Sequence, residues 1–406
     1  VRVKARFAAL ASLLLLALGC GVPSQNTPDA SVEADAGVFF DAGVFVDAGL
    51  LVDAGMVGDA GQPATVVRVH YPAGTRKLWM RGSAFPFNWT TGNPMTAGPD
   101  DTWTLTTTAV TGTLEFKPLV DDLNWSRGPN YTVKAGTTVD IYPHFFTTNG
   151  QWSKRWPSFS STILGNTRPV WVYLPPTYVE NARARFPVVY MHDGANLFDP
   201  ATAFGGNPWY AQNAMDAAAE NGSTREAIIV GPEATNDRIG EYTPTMDTTY
   251  PGSGKGLQYV RMLVEELKPK VDAELRTLPE REHTAILGSS LGGLISAYAG
   301  TTKATTFGLV GAMSPSTWWD NKVLLTLVAA TPLSPRPLRA YVDSGDSGNS
   351  SDDKTNTAQL AQAYRTLGYS EPTTLKYVVQ QGATHSETYW AQRLPAALEF
   401  LLGPRQ

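Results

Sequence analysis

The chain has 406 residues, of which 42% are hydrophobic and 17% charged, with a net charge of −5. That length suits about two or three domains at roughly 100–200 residues each, and the composition belongs to a soluble globular protein rather than a disordered one. No basic stretch of the kind nucleic-acid binding needs is present, so that class is excluded. The single cysteine, Cys20, rules out an intrachain disulfide. The histidines His70, His144, His192, His283 and His385 stand outside the short spacings of a zinc site, so neither a structural metal nor a metal cofactor is expected.

The first 20 residues read as an address. Arg2, Lys4 and Arg6 precede an apolar run from Phe7 to Leu18, followed by Gly19 and Cys20. This is the layout of a signal peptide, and the run is too short for an ordinary membrane span. The stretch ALGC resembles the lipobox of bacterial lipoproteins. The resemblance implies lipidation of Cys20 and a membrane attachment by lipid alone. Ala17 stands where that family prefers leucine, and a plain secretory signal with a chance cysteine is the alternative. Gly21, in place of aspartate after the cysteine, implies the outer membrane or cell surface. Residues 21–63 follow as a tether. The hexapeptides DAGVFF, DAGVFV, DAGLLV and DAGMVG, then DAG, start at Asp35, and so short a period with five aspartates builds no packed core by itself. A short β-solenoid is the structural alternative.

Residues 64–147 change character. The runs TVVRVHY, KLWMRGS, TWTLTTTAV, TLEFKPLV and TTVDIYPHF alternate with turn residues, which predicts an antiparallel β-sandwich. The succession Gly82, Asn88-Trp89, Trp103, Phe116-Lys117, Trp125 and Asn130 resembles a starch-binding carbohydrate-binding module. The resemblance implies sugar stacking on Trp89 and Trp125, hydrogen bonds from Lys117 and Asn130, and a polysaccharide partner. Trp103 is expected in the core. Pro118 departs from the family's continuing strand, and packing of the other tryptophans against the enzyme, over its cleft, is the competing reading. Residues 148–167 are expected to be a linker, with Trp152 and Trp156 as docking anchors.

From residue 168 to 406, strands and helices alternate. VWVYLPP, FPVVYMHDG, AIIVGPE, HTAILG, TFGLVGAMSP, LRAYVDSG and LKYVVQ read as strands. Between them, LQYVRMLVEELKPKVDAEL places Leu257, Val260, Leu263, Val264 and Leu267 on one helical face, and LGGLISAYAG and TAQLAQAYRTLG are further helices. The alternation predicts a mostly parallel sheet with helices on both faces, the α/β-hydrolase class. Sites in such sheets gather at the carboxyl ends of strands.

Gly288-Ser289-Ser290-Leu291-Gly292 fits G-x-S-x-G between an apolar strand and a helix. The turn is so tight that glycine must flank the serine, and it lifts the Ser290 hydroxyl out of the sheet. Ser289 is the competing serine but is not the centre of the motif. The Leu291 amide then faces a developing oxyanion at a helix N-terminus. A second amide, from Ala195 in MHDGANLFD, is expected beside it, with His192 and Asp193 given no chemistry. In this fold the order is serine, acid, histidine, and His385 is the only histidine after Ser290. Asp343, Asp346, Asp352 and Asp353 are candidate acids. Asp343 stands at the end of a strand, and the distance from Asp352 to the next helix favours Asp352, with Asp346 as the alternative.

Six strings together resemble the esterase D and enterochelin-esterase-like family: HDGANLFD, EYTPT, GSGKGLQYVRMLVEELKP, EHTAILGSSLGGLISAY, SPSTWW and HSETYWAQRLPAALEFLL. That family also holds S-formylglutathione hydrolase, feruloyl and acetylxylan esterases and mycolyltransferases. The resemblance covers residues 168–403 and implies ester hydrolysis through an acyl-serine with no cofactor. Trp318, Trp319 and Trp390 are expected as walls of the acyl or alcohol pocket, with core packing as the alternative. The expected substrate is a small-molecule or glycan-linked ester, such as an acyl ester of carbohydrate or a siderophore-like ester. Acyl transfer to a sugar and a non-catalytic glycan-binding envelope protein are the rival readings.

Overall fold

The computed structural model describes residues 62–332 and 334–405. The signal-like segment, the Cys20 lipidation and the DAG repeats lie outside the described residues.

The first layer pair is a β-sandwich. One sheet runs in the order Thr96–Ala97, Thr102–Thr107, Thr65–His70, Thr138–Ile141, and the other runs Asn93–Pro94, Leu78–Gly82, Thr113–Val120, Asn124–Trp125. Alternate residues Val67, Val69, Leu78, Met80, Leu114 and Phe116 turn inward and close the core. The pairing of Thr65–His70 with Thr138–Ile141 is parallel, so the sandwich is not purely antiparallel as expected. Pro118 is accommodated because its strand changes partner there. Tyr131–Lys134 ends opposite Phe116, and Asn124–Trp125 begins opposite Leu119. No ladder donor is needed at the gap.

The second body is an eight-stranded sheet. Its strands are β1 (Gln151–Ser161), β2 (Asn166–Leu174), β3 (Val188–Met191), β4 (Ile228–Pro232), β5 (Thr284–Ser289), β6 (Leu309–Met313), β7 (Arg339–Gly345) and β8 (Leu375–Gln380). They lie in the order β1-β2-β4-β3-β5-β6-β7-β8. β1 and β2 are antiparallel to their neighbours, and the remaining pairs are parallel. The predicted linker is therefore corrected: residues 151–161 are the first strand of this sheet. It reads as a linker because an edge strand has one paired side, and its inward contacts reduce mainly to Trp156, Phe159 and Ser161. Trp152 stacks on Phe198 at 5.7 Å, and Trp156 donates from Nε1 to Glu274 at 3.1 Å, so both anchor this strand.

Helices α1 (Ala211–Asn221), α2 (Gly256–Met262), α3 (Leu291–Thr302), α4 (Trp319–Ala329), α5 (Lys354–Thr366) and α6 (Glu387–Leu402) flank the sheet. Past α2, a π turn at Leu263–Leu267 rotates the apolar stripe before the helix resumes at Lys268–Glu274. Val260, Leu263 and Leu267 are fully buried, whereas Leu257, expected on the same face, is exposed.

The sandwich does not roof the carboxyl ends of the strands. It docks at the opposite end of the sheet, where the parallel strands begin. Glu180, just past β2, accepts Tyr71 Oη and the backbone N–H groups of Phe145, Phe146 and Thr147 at 2.7–2.9 Å. Asn181 donates to the carbonyls of His70 and Pro143, and Arg183 pairs with Asp101 at 2.8 Å. The reading in which the sandwich covers a cleft at the catalytic end is thereby corrected.

Candidate active site

Ser290 sits between β5 and α3 with φ 58° and ψ −124°. A positive φ costs a non-glycine residue roughly 1–3 kcal/mol. Three backbone bonds of 3.0 Å hold it: Ser290 N–H to the Met313 carbonyl, and the Ser316 and Leu294 N–H groups to the Ser290 carbonyl. The first glycine of the motif and the glycine just after it are needed for space. A Cβ on Gly288 would stand 2.7 Å from His192, and one on Gly293 would stand 2.8 Å from the Met313 carbonyl oxygen. Ser289 is buried at the end of its strand, while Ser290 is partly open to a cleft of about 600 Å3. The Ser290 hydroxyl meets Ser316 Oγ at 3.4 Å rather than an imidazole nitrogen. Catalytic contacts of this kind commonly tighten only with substrate bound.

His385 lines the same cleft from the loop between β8 and α6. Its Nδ1 lies 2.6 Å from Asp352 Oδ1, and Trp390 packs edge-on against its ring at 4.9 Å. Asp352 is buried in the loop after β7. Burial pushes its carboxyl up, but hydrogen bonds from His385, Ser314 and the Gly345 N–H prevail and hold it below the usual aspartate range.

The other acid candidates are placed elsewhere. Asp346 Oδ1 accepts the Gly382 N–H at 2.8 Å and fastens the loop that carries His385. Asp343 is buried beside Arg393 at 3.0 Å, and its carboxyl is raised by burial. Asp353 caps toward Asn356 at 2.6 Å.

Sequence reasoning gave no role to Ser314 or Arg393. Ser314 Oγ donates to Asp352 Oδ2 at 2.7 Å and accepts from Trp390 Nε1 at 3.0 Å and Arg393 Nη2 at 2.8 Å. These residues lie inside SPSTWW and HSETYWAQRL, so the strings held the signal, but nothing local pairs them.

Ala195 lies in a 3-10 turn, Gly194–Asn196, facing the cleft. Among the described residues, neither the Ala195 nor the Leu291 N–H has a protein acceptor. The turn starts from Asp193 in the left-handed region at φ 57°, and Arg238 grips that carboxylate through Nε and Nη2 at 2.7 and 2.8 Å. Gly194 lets the turn press onto β4, since a Cβ would stand 2.1 Å from the Gly231 carbonyl oxygen. His192 lies beneath, bonded through Nδ1 to Tyr259 Oη at 3.0 Å, and burial holds its pKa down to about 3. It is a neutral support.

Trp390 walls the Ser290 cleft with Phe204 and Trp209. Trp318 is exposed and borders a second hollow of about 570 Å3 on the far side of His385. Trp319 lines neither. It is 1% exposed and donates to the Thr245 carbonyl at 3.1 Å, so its pocket assignment is corrected to core. In the sandwich, Trp89 and Trp125 are exposed with ring centroids 6.2 Å apart. Lys117 and Asn130 are engaged otherwise than expected. Lys117 Nζ donates to the Gly128 carbonyl at 2.6 Å, and Asn130 to Glu115 at 2.8 Å, so both are spent on partners within the sandwich.

A family model described as "Putative esterase" matches residues 161–401. The uncharacterized protein YbbA of Bacillus subtilis is 27% identical over 257 residues, which span 61% of this chain and 96% of that one. The siderophore enterobactin esterase of Emericella nidulans is 33% identical over 154 residues, spanning 34% of this chain and 48% of that protein. A solved ferulic acid esterase shares the fold with a TM-score of 0.51 at 22% identity, covering 63% of this chain and 99% of the other. The family match runs from the second strand of the sheet into its last helix and holds the serine turn within it; the chain belongs to the Esterase family and is an esterase.

Proposed function

We propose that Ser290, His385 and Asp352 form the triad of a carboxylic ester hydrolase. Ser290 Oγ attacks the ester carbonyl as His385 Nε2 takes its proton. The Leu291 and Ala195 amides receive the oxyanion, the alcohol leaves with the proton from His385, and water then releases the acid from the acyl-serine. The observation that carries this reading is the 2.6 Å bond between His385 and a buried Asp352, in the cleft onto which Ser290 opens. The aromatic walls Phe204, Trp209 and Trp390 suit an acyl group with a flat or apolar body, and acyl esters of carbohydrates or siderophore-like esters are the proposed substrates.

The test is hydrolysis of a short p-nitrophenyl ester, followed by a panel of acetyl, feruloyl and longer acyl esters. Ser290→Ala is expected to remove turnover and labelling by a fluorophosphonate. Labelling that persists in that variant, on Ser289, would refute the assignment. We also propose that the exposed Trp89–Trp125 pair contacts polysaccharide and that Cys20 anchors an exported chain to the envelope. Starch pull-down with Trp125→Ala and labelling with a fatty-acid analogue in a Cys20→Ser strain test these two points.

A further inference from the structure

The seam between the sandwich and the sheet holds an open cavity of about 430 Å3 at the end of the strands remote from Ser290. Tyr131 and Tyr142 wall it from the sandwich, and Arg183, Arg185, Arg225 and Arg405 converge on it from the catalytic body. Among the described residues the charges do not balance. Arg183 is neutralised by Asp101, and the cavity's Asp140 is taken by His70 at 2.7 Å and Arg68 at 3.6 Å. Arg185 and Arg405 meet no carboxylate among the described residues: they donate to the carbonyls of Thr277 at 3.4 Å and Arg127 at 3.0 Å, and Arg405 also lies over the Tyr131 ring at 4.5 Å. Among the described residues, the Arg225 guanidinium has neither a carboxylate nor a hydrogen-bond partner.

The acid that could answer them is Glu226, which also lines the cavity but is engaged by Thr177. Its two oxygens accept the Thr177 N–H at 2.9 Å and the Thr177 hydroxyl at 2.5 Å. Burial raises its carboxyl to about 7, and no arginine is close enough to draw it back down. Burial also pushes Arg225 down, and Arg405 down to about 10. Cations withdrawn from water without a counter-charge are costly, and a bound anion removes that cost.

We propose that this seam is a binding site for a small organic anion, a carboxylate or phosphate on a ring-sized body, held by Arg225, Arg405 and Arg185. The guanidinium groups take the oxyanion, where Arg geometry permits paired hydrogen bonds. The ring lies against the exposed face of Tyr142, whose other face stacks on His70 at 4.7 Å. The site is separate from ester hydrolysis, because its residues stand at the amino ends of β3 and β4, whereas Ser290 follows the carboxyl end of β5.

The experiment is isothermal titration of the full chain with benzoate, phenyl phosphate and inorganic phosphate at fixed ionic strength. Saturable binding of benzoate or phenyl phosphate is expected, with inorganic phosphate weaker because it has no ring. Arg225→Gln and Arg405→Gln should each weaken it at least tenfold while p-nitrophenyl ester turnover stays within twofold. Binding should survive when Ser290 is blocked by a phosphonate. Because it removes an uncompensated charge, Arg225→Gln should leave the unliganded Tm unchanged or raised. Absence of saturable binding, equal affinity for inorganic and phenyl phosphate, or unchanged affinity in Arg225→Gln would each overturn the proposal. Loss of binding on phosphonylation would do the same, since it would place the anion in the catalytic cleft.

Discussion

Ser314→Ala tests the buried scaffold behind the proposed acid. Its hydroxyl is the one atom that meets Asp352, Trp390 and Arg393 together. Alanine leaves the Trp390 N–H and one Arg393 N–H unpaired in a dry site, at about 1–3 kcal/mol each. The expected loss of stability is therefore about 2–5 kcal/mol, softened because Arg393 keeps Asp343 at 3.0 Å and Gln380 at 2.9 Å. Asp352 keeps His385 and the Gly345 N–H but loses one of the three hydrogen bonds that hold its carboxyl low. Its pKa must rise.

A carboxyl depressed on folding adds stability above its unfolded pKa and loses it as pH falls through the folded value. In Ser314→Ala the folded pKa moves toward the unfolded one, so less stability is lost to acid and the loss is complete at a higher pH. A loosened acid misplaces the imidazole, and an error of about 1 Å can cost about 100-fold in kcat. KM should hold, because Ser314 is buried and lines neither cleft. The assay is steady-state p-nitrophenyl ester hydrolysis across pH, beside urea unfolding of the same samples. Lost stability with kcat within twofold of wild type and an unchanged pH dependence of that stability would refute the reasoning and reduce the network to packing.

Asp352→Asn should lower kcat by about 10⁴-fold, the cost of losing a triad acid, with the fold intact by circular dichroism. Asp346→Asn should stay within about tenfold in the same assay, since an asparagine oxygen can still accept the Gly382 N–H. Trp319→Ala should cost about 3–5 kcal/mol in urea unfolding, whereas Trp318→Ala should leave stability near wild type and raise KM for bulky esters. His144 is buried and held neutral down to about 4, chiefly by burial. Below pH 6.5 the unfolded chain binds a proton that the folded one refuses, so stability falls with pH. A His144→Gln variant should close its stability gap to wild type by about 1.4 kcal/mol per pH unit between those limits. A gap independent of pH would show that His144 is not buried neutral.

Much of this protein was legible in contiguous residues. The serine turn is a local object: a short apolar strand, glycines where a Cβ would collide, and a helix start. The parallel sheet was legible because strands buried on both faces stay apolar throughout, as VVYM and AILG do. His385 followed from elimination, and Asp352 from its distance to α5. Strand β1 was not legible, because an edge strand with solvent on its outer side carries linker-like residues. Nor was the difference between Trp318 and Trp319, which are neighbours in sequence yet lie on opposite sides of a helix start.

By itself, then, the sequence determined the fold class and the serine turn, because those are written in patterns within single short segments. Tertiary structure alone decided that Ser314 and Arg393 brace Asp352, that Lys117 is spent on the Gly128 carbonyl, and that the sandwich docks away from the cleft. Those outcomes join atoms of distant segments, and no pattern along one segment encodes which other segment will fold against it.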